Sequence, residues 1–492
     1  MRVHHDATWG ADVTYESFRS TFDEASTAWS GEQWADAFAA AGARYVVLVT
    51  KHHDGYALWP SGVPHPSRPG WHTARDFVGE LTAAVRRRCL RMGLYYSGGL
   101  DWSVRPGPIT DALSVVIVIP NGPEYLAYAN AQWRELIARY EPAVMWNDIG
   151  YPDEAAALAL FADYYNAIPD GVVNDRFSIL SGLTHHDYVT PEFTVLPDIS
   201  TRKFETVRGM GRGFGYNQNE HEADYDSATR LVHLLVDVVS KNGNLLLNVG
   251  PMADGTIPAP QARRLEAIGV WLATNGAAIF ETRPWVRAEG TTSDGKPVRF
   301  TVSADGTTIY AIVLGLLSGS AVTLTEFDET PASVELLGAP GALTATQTGG
   351  ALRIELPGPV ADQPAHVFAL RRWVSSRNDA RQPPSESGGR YRCEAAWLGC
   401  WRCSSAGARR CSRRSSPRRS CWERSPARGP WSSPPACAST EPTSGGPSSI
   451  AVGTSCSSAT PGRTPGRCAS LCPTTTIRRR PCLRHCRRVC RR

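Results

Sequence analysis

The stretch Ala143-Val-Met-Trp-Asn-Asp148-Ile-Gly-Tyr-Pro152 decides the fold. Its first half is short, apolar and bounded by turn residues. That predicts a buried strand from Pro142 to Trp146, stopping at Asn147 and Asp148 before a Gly-Tyr-Pro turn. Helical periodicity precedes it over Glu124 to Tyr140 and follows it over Glu154 to Ala167. Strands alternating with helices imply a parallel sheet, and such sheets carry their chemistry at the carboxyl ends of the strands. Asp148 sits at such an end. A lone Asp there reads more simply as a loop cap, so its weight depends on what the other strand ends bring.

Working outward, the same αβ step recurs. A helix over Trp29 to Phe38, with Ser30 or Glu32 near its cap, leads to a β-rich strand at 43–50 that ends in Lys51-His-His-Asp-Gly-Tyr56. Arg75 to Arg91 is helical and Met92 to Ser97 a strand opening into Gly98-Gly-Leu-Asp-Trp102. After the Asp148 step, Gly171 to Arg176 is the next strand. An irregular stretch from Phe177 to Arg208 then leads to a strand end at Gly213-Phe-Gly-Tyr-Asn217. Ala228 to Lys241, Gly243 to Gly250 and Pro258 to Asn275 close the series as helix, strand and helix.

Repeated αβ steps with polar, aromatic strand ends predict a (β/α)8-like barrel of the TIM type over residues 1–282. A doubly wound sheet is disfavoured because no Gly-rich phosphate fingerprint follows an early strand. One strand is lacking at the front, where the chain is expected to be truncated. From Arg283 the period changes to two, which predicts a small antiparallel β-sandwich over 283–373. After Trp373 periodicity vanishes, and 374–492 is expected to be a disordered, frameshifted tail of Arg, Ser, Pro and Cys. A basic nucleic-acid-binding tail or a Cys metal array around Cys400 and Cys403 are the competing readings.

Charge follows this division. The overall +5 averages a tail with 23 Arg against five acids (+18) and a body with 29 basic against 42 acidic residues (−13). Only Cys89 of the 13 Cys lies in the body. Set in a helical run, it is expected to be an inert packed thiol, and the body needs no disulfides. Residues 1–7 lack the apolar segment of a signal peptide, and no run is apolar enough to span a membrane, so a soluble, cytoplasmic protein is expected.

Four strand-end or loop clusters carry the chemistry: Lys51-His-His-Asp54, Asn147-Asp148, Asn174-Asp175-Arg176, and Glu192 in the long segment after them. Long loops in compact domains are often functional. A loop Glu with a strand-end Asp supplies the carboxyl pair that glycoside hydrolysis requires. Adjacent His on an extended segment point opposite ways, so His52 and His53 fit neutral hydrogen-bond partners of a polyol better than a metal pair; His185 and His186 are the other metal candidates. Trp59, Tyr95, Tyr96, Trp102 and Trp146 would wall the site.

The motifs 50–61, 93–102, 145–152, 173–176 and 241–251, in that order, resemble the α-L-fucosidases of glycoside hydrolase family 29. The resemblance runs from Tyr15 to Leu370. It implies a barrel with a carboxyl-terminal β-sandwich and a retaining mechanism, with Asp148 as nucleophile and Glu192 as acid/base. His52, His53, Tyr95, Trp146 and Arg176 would hold the sugar. No cofactor or metal is implied, and the partner would be a fucosylated glycan, not nucleic acid or membrane. The family's opening strand with a His-Trp-Gly segment has no match here. A catalytically impaired carbohydrate-binding remnant and a metal-dependent hydrolase are the alternatives.

Overall fold

The computed structural model describes residues 2–107, 109, 111–179 and 185–373. The tail expectation for 374–492 lies outside the described residues. Three helices open the chain, α1 (Arg2–Trp9), α2 (Arg19–Ala25) and α3 (Gly31–Ala40). The alternating series follows as β1 (Tyr45–Lys51), α4 (Phe77–Arg87), β2 (Arg91–Ser97), α5 (Ala112–Ile117), α6 (Pro123–Tyr140), β3 (Val144–Asp148), α7 (Glu154–Ala167) and β4 (Val172–Val173). β5 (Phe204–Gly209), α8 (Ala228–Ser240), β6 (Gly243–Asn248) and α9 (Ala259–Asn275) complete it.

Local chemistry explains where these helices start. The side chains of Ser30, Asp76, Asp153 and Ser227 accept from first-turn amides of α3, α4, α7 and α8, satisfying donors that a helix start leaves orphaned. α6 begins instead with Pro123, whose fixed φ suits a first turn.

β1, β2, β3 and β4 pair in parallel in chain order, and β5 pairs in parallel with β6. Isolated parallel bridges (Asn174 with Tyr188, Val189 with Phe204, Glu192 with Val207) carry the ladder from β4 to β5. Side chains alternate across the strands. Met92, Leu94, Met145 and Val173 face the helices and pack with Val85, Trp133, Leu136 and Phe161. Val144 and Trp146 face the opposite way and meet Tyr188, Val207 and the partly buried Tyr45 and Tyr95. The chemistry gathers above that second cluster.

The antiparallel part comprises β7 (Thr282–Thr291), β8 (Pro297–Ser303), β9 (Thr308–Leu314), β10 (Ala321–Leu324), β11 (Ser333–Leu336), β12 (Ala342–Leu343), β13 (Ala345–Thr348), β14 (Ala351–Glu355) and β15 (Ala365–Arg371). They form a six-stranded sheet β12-β11-β15-β9-β8-β7 and a three-stranded sheet β10-β14-β13. Phe300, Ile309 and Phe368 of the first share one apolar cluster with Leu324, Leu352 and Ile354 of the second. A separate cluster joins this part to the helices: Leu231, Val236, Trp271 and Leu272 pack with Ile312, Ala365 and Val367. Trp271 Nε1 donates to the Ala365 carbonyl at 2.9 Å.

Two expectations need correction. The strand before α8 is Phe204–Gly209, inside the stretch read as irregular, whereas 213–217 is a turn and loop. Cys89 lies beyond the end of α4 with a left-handed φ of 57° and is exposed, not packed, because the chain reverses there to enter β2.

Candidate active site

Asp148 ends β3, and the backbone turns sharply behind it: Ile149 has φ 55° and Gly150 φ 81°. A β-branched residue seldom adopts that region, so surrounding contacts must hold it. The loop after β2 does so, because Gly99 donates its amide to the Asp148 carbonyl at 3.1 Å. A Cβ on Gly99 would come 1.6 Å from the Ile149 carbonyl oxygen.

Both oxygens of the Asp148 carboxylate are taken. Tyr95 Oη donates to Oδ2 at 2.7 Å, and Arg176 Nη1 to Oδ1 at 3.1 Å. Arg176 is a fully engaged fork: Nε donates to Thr190 Oγ1 at 2.8 Å and Nη2 to the Thr190 carbonyl at 3.1 Å. Asp175 Oδ1 accepts from the Thr190 hydroxyl at 2.6 Å and fixes it. Nη1 of Arg176 also lies 3.0 Å from Glu192 Oε2. The two carboxylates therefore sit at most two hydrogen-bond lengths apart across one guanidinium nitrogen. Asp148 is nearly enclosed, whereas the Glu192 side chain is 44% exposed. Burial pulls the Arg176 guanidinium down, but Asp148 and Glu192 outweigh it and raise it. Burial also lifts the Tyr95 phenol well above its ordinary range, reinforced by Asp148, so it stays a donor.

Aromatic rings pave the floor. Tyr95 stacks on Trp146 (centroids 5.2 Å, 22°) and His52 on Tyr95 (5.7 Å, 12°). The Arg176 guanidinium lies 5.0 Å from the Trp146 ring centre. His52 and His53 are adjacent at 3.9 Å, and Trp102 meets His53 edge-on. His53 Nδ1 is 2.7 Å from Ser97 Oγ, whose proton goes to the Leu100 carbonyl at 2.8 Å. The serine oxygen must then accept from Nδ1–H, which leaves Nε2 as a bare acceptor. Burial holds the His53 imidazole down to about 2, helped by His52 and Lys51, so it is neutral at every working pH. Burial lowers His52 too, against the pull of Asp54 and Asp148, although the residue is exposed to solvent.

All seven residues singled out from sequence thus form one connected cluster. Two of the expected wall residues do not. Trp59 is fully buried and donates to Glu135 Oε2, and Tyr96 points to the helix side and donates to Gln132. Alternation along β2 turns Tyr96 into the core. His185 and His186 contact Tyr165, Asp187 and Arg202 instead of His52 and His53. Among the described residues no group of three His, Cys, Asp or Glu is placed to hold a metal ion, and no helix is long and apolar enough to cross a membrane. A cleft of about 590 Å³ between α3 and α9 shares no residue with this cluster.

Sequence reasoning assigned no role to Ser97 or Thr190, and it placed Asp54 in the strand-end cluster at 51–54 without a role of its own. The half-buried Asp54 accepts from the Tyr15 hydroxyl at 3.1 Å, and desolvation raises its carboxyl. Sequence reasoning also missed Glu205, buried and bonded to the Trp146 indole N–H.

Comparison with known proteins fits this geometry. A family profile described as alpha-L-fucosidase matches residues 1–277. An alpha-L-fucosidase of Dictyostelium discoideum is 30% identical over 393 residues, covering 75% of this chain and 81% of that protein. The tissue alpha-L-fucosidase of Bos taurus is 35% identical over 320 residues, covering 62% and 64%. Among solved structures, the alpha-fucosidase of Thermotoga maritima superposes with a TM-score of 0.68 at 38% identity, covering 75% of this chain and 84% of that one.

Proposed function

The chain belongs to the α-L-fucosidase family of glycoside hydrolases, and from that premise we propose that it is an exo-acting, retaining α-L-fucosidase. Terminal α-L-fucose on glycoconjugates or oligosaccharides would be released through a covalent fucosyl-enzyme on Asp148. The observation that carries this reading is Arg176 Nη1 touching both Asp148 and Glu192. Retention needs carboxyl groups about 5–5.5 Å apart, and inversion needs about 6.5–9.5 Å to admit a water between them. Two carboxylates held against one guanidinium nitrogen, at 3.1 and 3.0 Å, support the retaining reading.

In the first step Glu192 protonates the glycosidic oxygen while an Asp148 oxygen attacks the anomeric carbon from the opposite face. The C–O bond to the leaving group breaks and the ester to Asp148 forms. Glu192, now a carboxylate, then takes a proton from water, whose oxygen displaces Asp148 and regenerates both groups. The partial exposure of Glu192 suits a group that must meet the leaving group and then solvent. Tyr95 and Arg176 hold the nucleophile's two oxygens in place before reaction, when reorientation would be costly. His53 Nε2 is fitted to accept from a sugar hydroxyl and His52 to contact a second; Trp146, itself buried, backs the site through its contacts with Tyr95 and Arg176. The carboxyl pair supplies acid, base and nucleophile, so the reaction needs no cofactor.

The bridges from β4 to β5 support reading the two parallel sheets as sides of one (β/α) barrel spanning 1–282. The antiparallel sheets of 283–373 form a β-sandwich that buttresses it. Assay of the chain on an aryl α-L-fucoside beside Asp148→Ala tests the function. Turnover that releases the α-anomer first, and that falls by several orders of magnitude in the variant, supports it. Fucose binding without turnover would instead favour a catalytically impaired remnant.

A further inference from the structure

Glu205 is a fully buried carboxylate that the reaction above does not use. It projects from β5 into the interior, where Oε1 accepts from Trp146 Nε1 at 2.8 Å and Oε2 from the Tyr45 hydroxyl. Tyr45 starts β1 and Trp146 lies in β3, so one side chain ties three alternate strands together. The groups facing it are Tyr45, Trp146 and Tyr188, with Arg176 and Asp175 within electrostatic reach. Burial raises its carboxyl to about 6, while the two donors and Arg176 pull it back.

The Trp146 ring links Glu205 to the chemistry. One edge, the indole N–H, is held by Glu205, while the ring carries Tyr95 in stacked contact and the Arg176 guanidinium. These are the two groups that donate to Asp148. Tilting the indole moves both donors at once, and displacement of about 1 Å in a reacting group can lower rate by roughly 100-fold. We propose that Glu205 is a positioning residue for the reaction, fixing the Trp146 indole so that Tyr95 and Arg176 hold the Asp148 carboxylate in its attacking orientation. This rests on Asp148 being the nucleophile. Glu205 acts through hydrogen-bond geometry. A residue that only tied strands together would lower stability and leave turnover per folded molecule unchanged.

The test compares Glu205→Ala, Glu205→Gln and Trp146→Phe on an aryl α-L-fucoside, with the folded fraction measured for each. Glu205→Ala is expected to lower kcat by roughly 10- to 100-fold with KM changed by less than about 3-fold. Glu205→Gln, which keeps a carbonyl oxygen for the indole, should recover kcat to within about 5-fold. Trp146→Phe keeps a ring but removes the N–H, and adding Glu205→Gln to it should cost nothing further, since coupled residues are not additive. Unchanged kcat in folded Glu205→Ala, equal losses in the Ala and Gln variants, or additivity in the double variant would each overturn the proposal. Should Glu205→Ala not fold, the Gln and Trp146→Phe pair decides alone. Asp148→Gly is run alongside: if it turns over as the parent does, the nucleophile assignment fails, whereas an inactive Asp148→Gly with an unaffected Glu205→Ala refutes only the positioning role.

Discussion

Asp148 accepts from Tyr95 and Arg176, and these two contacts are not equivalent. Tyr95→Phe removes one charge-assisted hydrogen bond and leaves the stacking on Trp146. A kcat loss of roughly 10- to 100-fold is expected, for a bond of about 1.5–3 kcal/mol, read from steady-state kinetics on an aryl fucoside. Arg176→Lys should be worse, because one ammonium cannot reach Asp148, Glu192 and Thr190 together. Glu205 makes a different prediction, on stability. Burial pushes its carboxyl up to about 6, above the ordinary 4.5, so the folded state binds this proton more tightly than the unfolded chain. The stabilisation is full below pH 4.5 and is lost as pH rises through 6, by about 2 kcal/mol in total. Glu205→Gln should flatten that part of a melting-temperature profile; an unaltered slope would contradict it. Asp148, Arg176 and the two histidines were legible because they stand where predicted strands stop. Glu205 was not: an acid among Lys203, Phe204 and Thr206 reads as an exposed position, and only β1 and β3 folding across it reveal its two donors.

At the scale of elements, close approach of loops decides the site. Gly99 has no room for a side chain against Ile149, and a Cβ on Gly98 would lie 2.2 Å from Asn147 Oδ1. Gly99→Ala must push the turn behind Asp148 aside. It is expected to reduce melting temperature and activity together, measured on one preparation. Beneath the same loop, Lys51 at the end of β1 pairs with Asp101 at 2.7 Å, both fully buried. Burial lowers the Lys51 ammonium, and Asp101 offsets this only in part. Lys51→Met strands a buried carboxylate and should lower unfolding free energy by about 3–5 kcal/mol, checked by denaturant titration. The strand and helix pattern from β1 to β3 was readable because periodicity there is strong. β5 was hidden because charged Glu205 and Arg208 break its apolar run, while the aromatic Gly213-Phe-Gly-Tyr run imitated a strand. Thr190 and Ser97 act through contacts made across the fold, which spacing along the chain does not encode.

At the scale of the molecule, the parallel and antiparallel parts share an apolar cluster built from α8, α9, β9 and β15. Lys241 also reaches Glu289 across that seam at 2.8 Å. Removing 283–373 would uncover Trp271, Leu272 and Val236, so the truncated chain is expected to aggregate, as light scattering would report. The acidic body and the change of period near Arg283 were plain in sequence. How the two parts meet was not, because residues of α8 and α9 that face the seam carry the same helical pattern as those facing strands. The central claim, that Asp148 forms the covalent intermediate, is tested most directly by incubating the protein with a 2-fluoro-fucosyl fluoride and sequencing the labelled peptide by mass spectrometry. The account predicts a single fluorofucosyl adduct on Asp148. An adduct on another residue, or none in a preparation that turns over aryl fucoside, would contradict it.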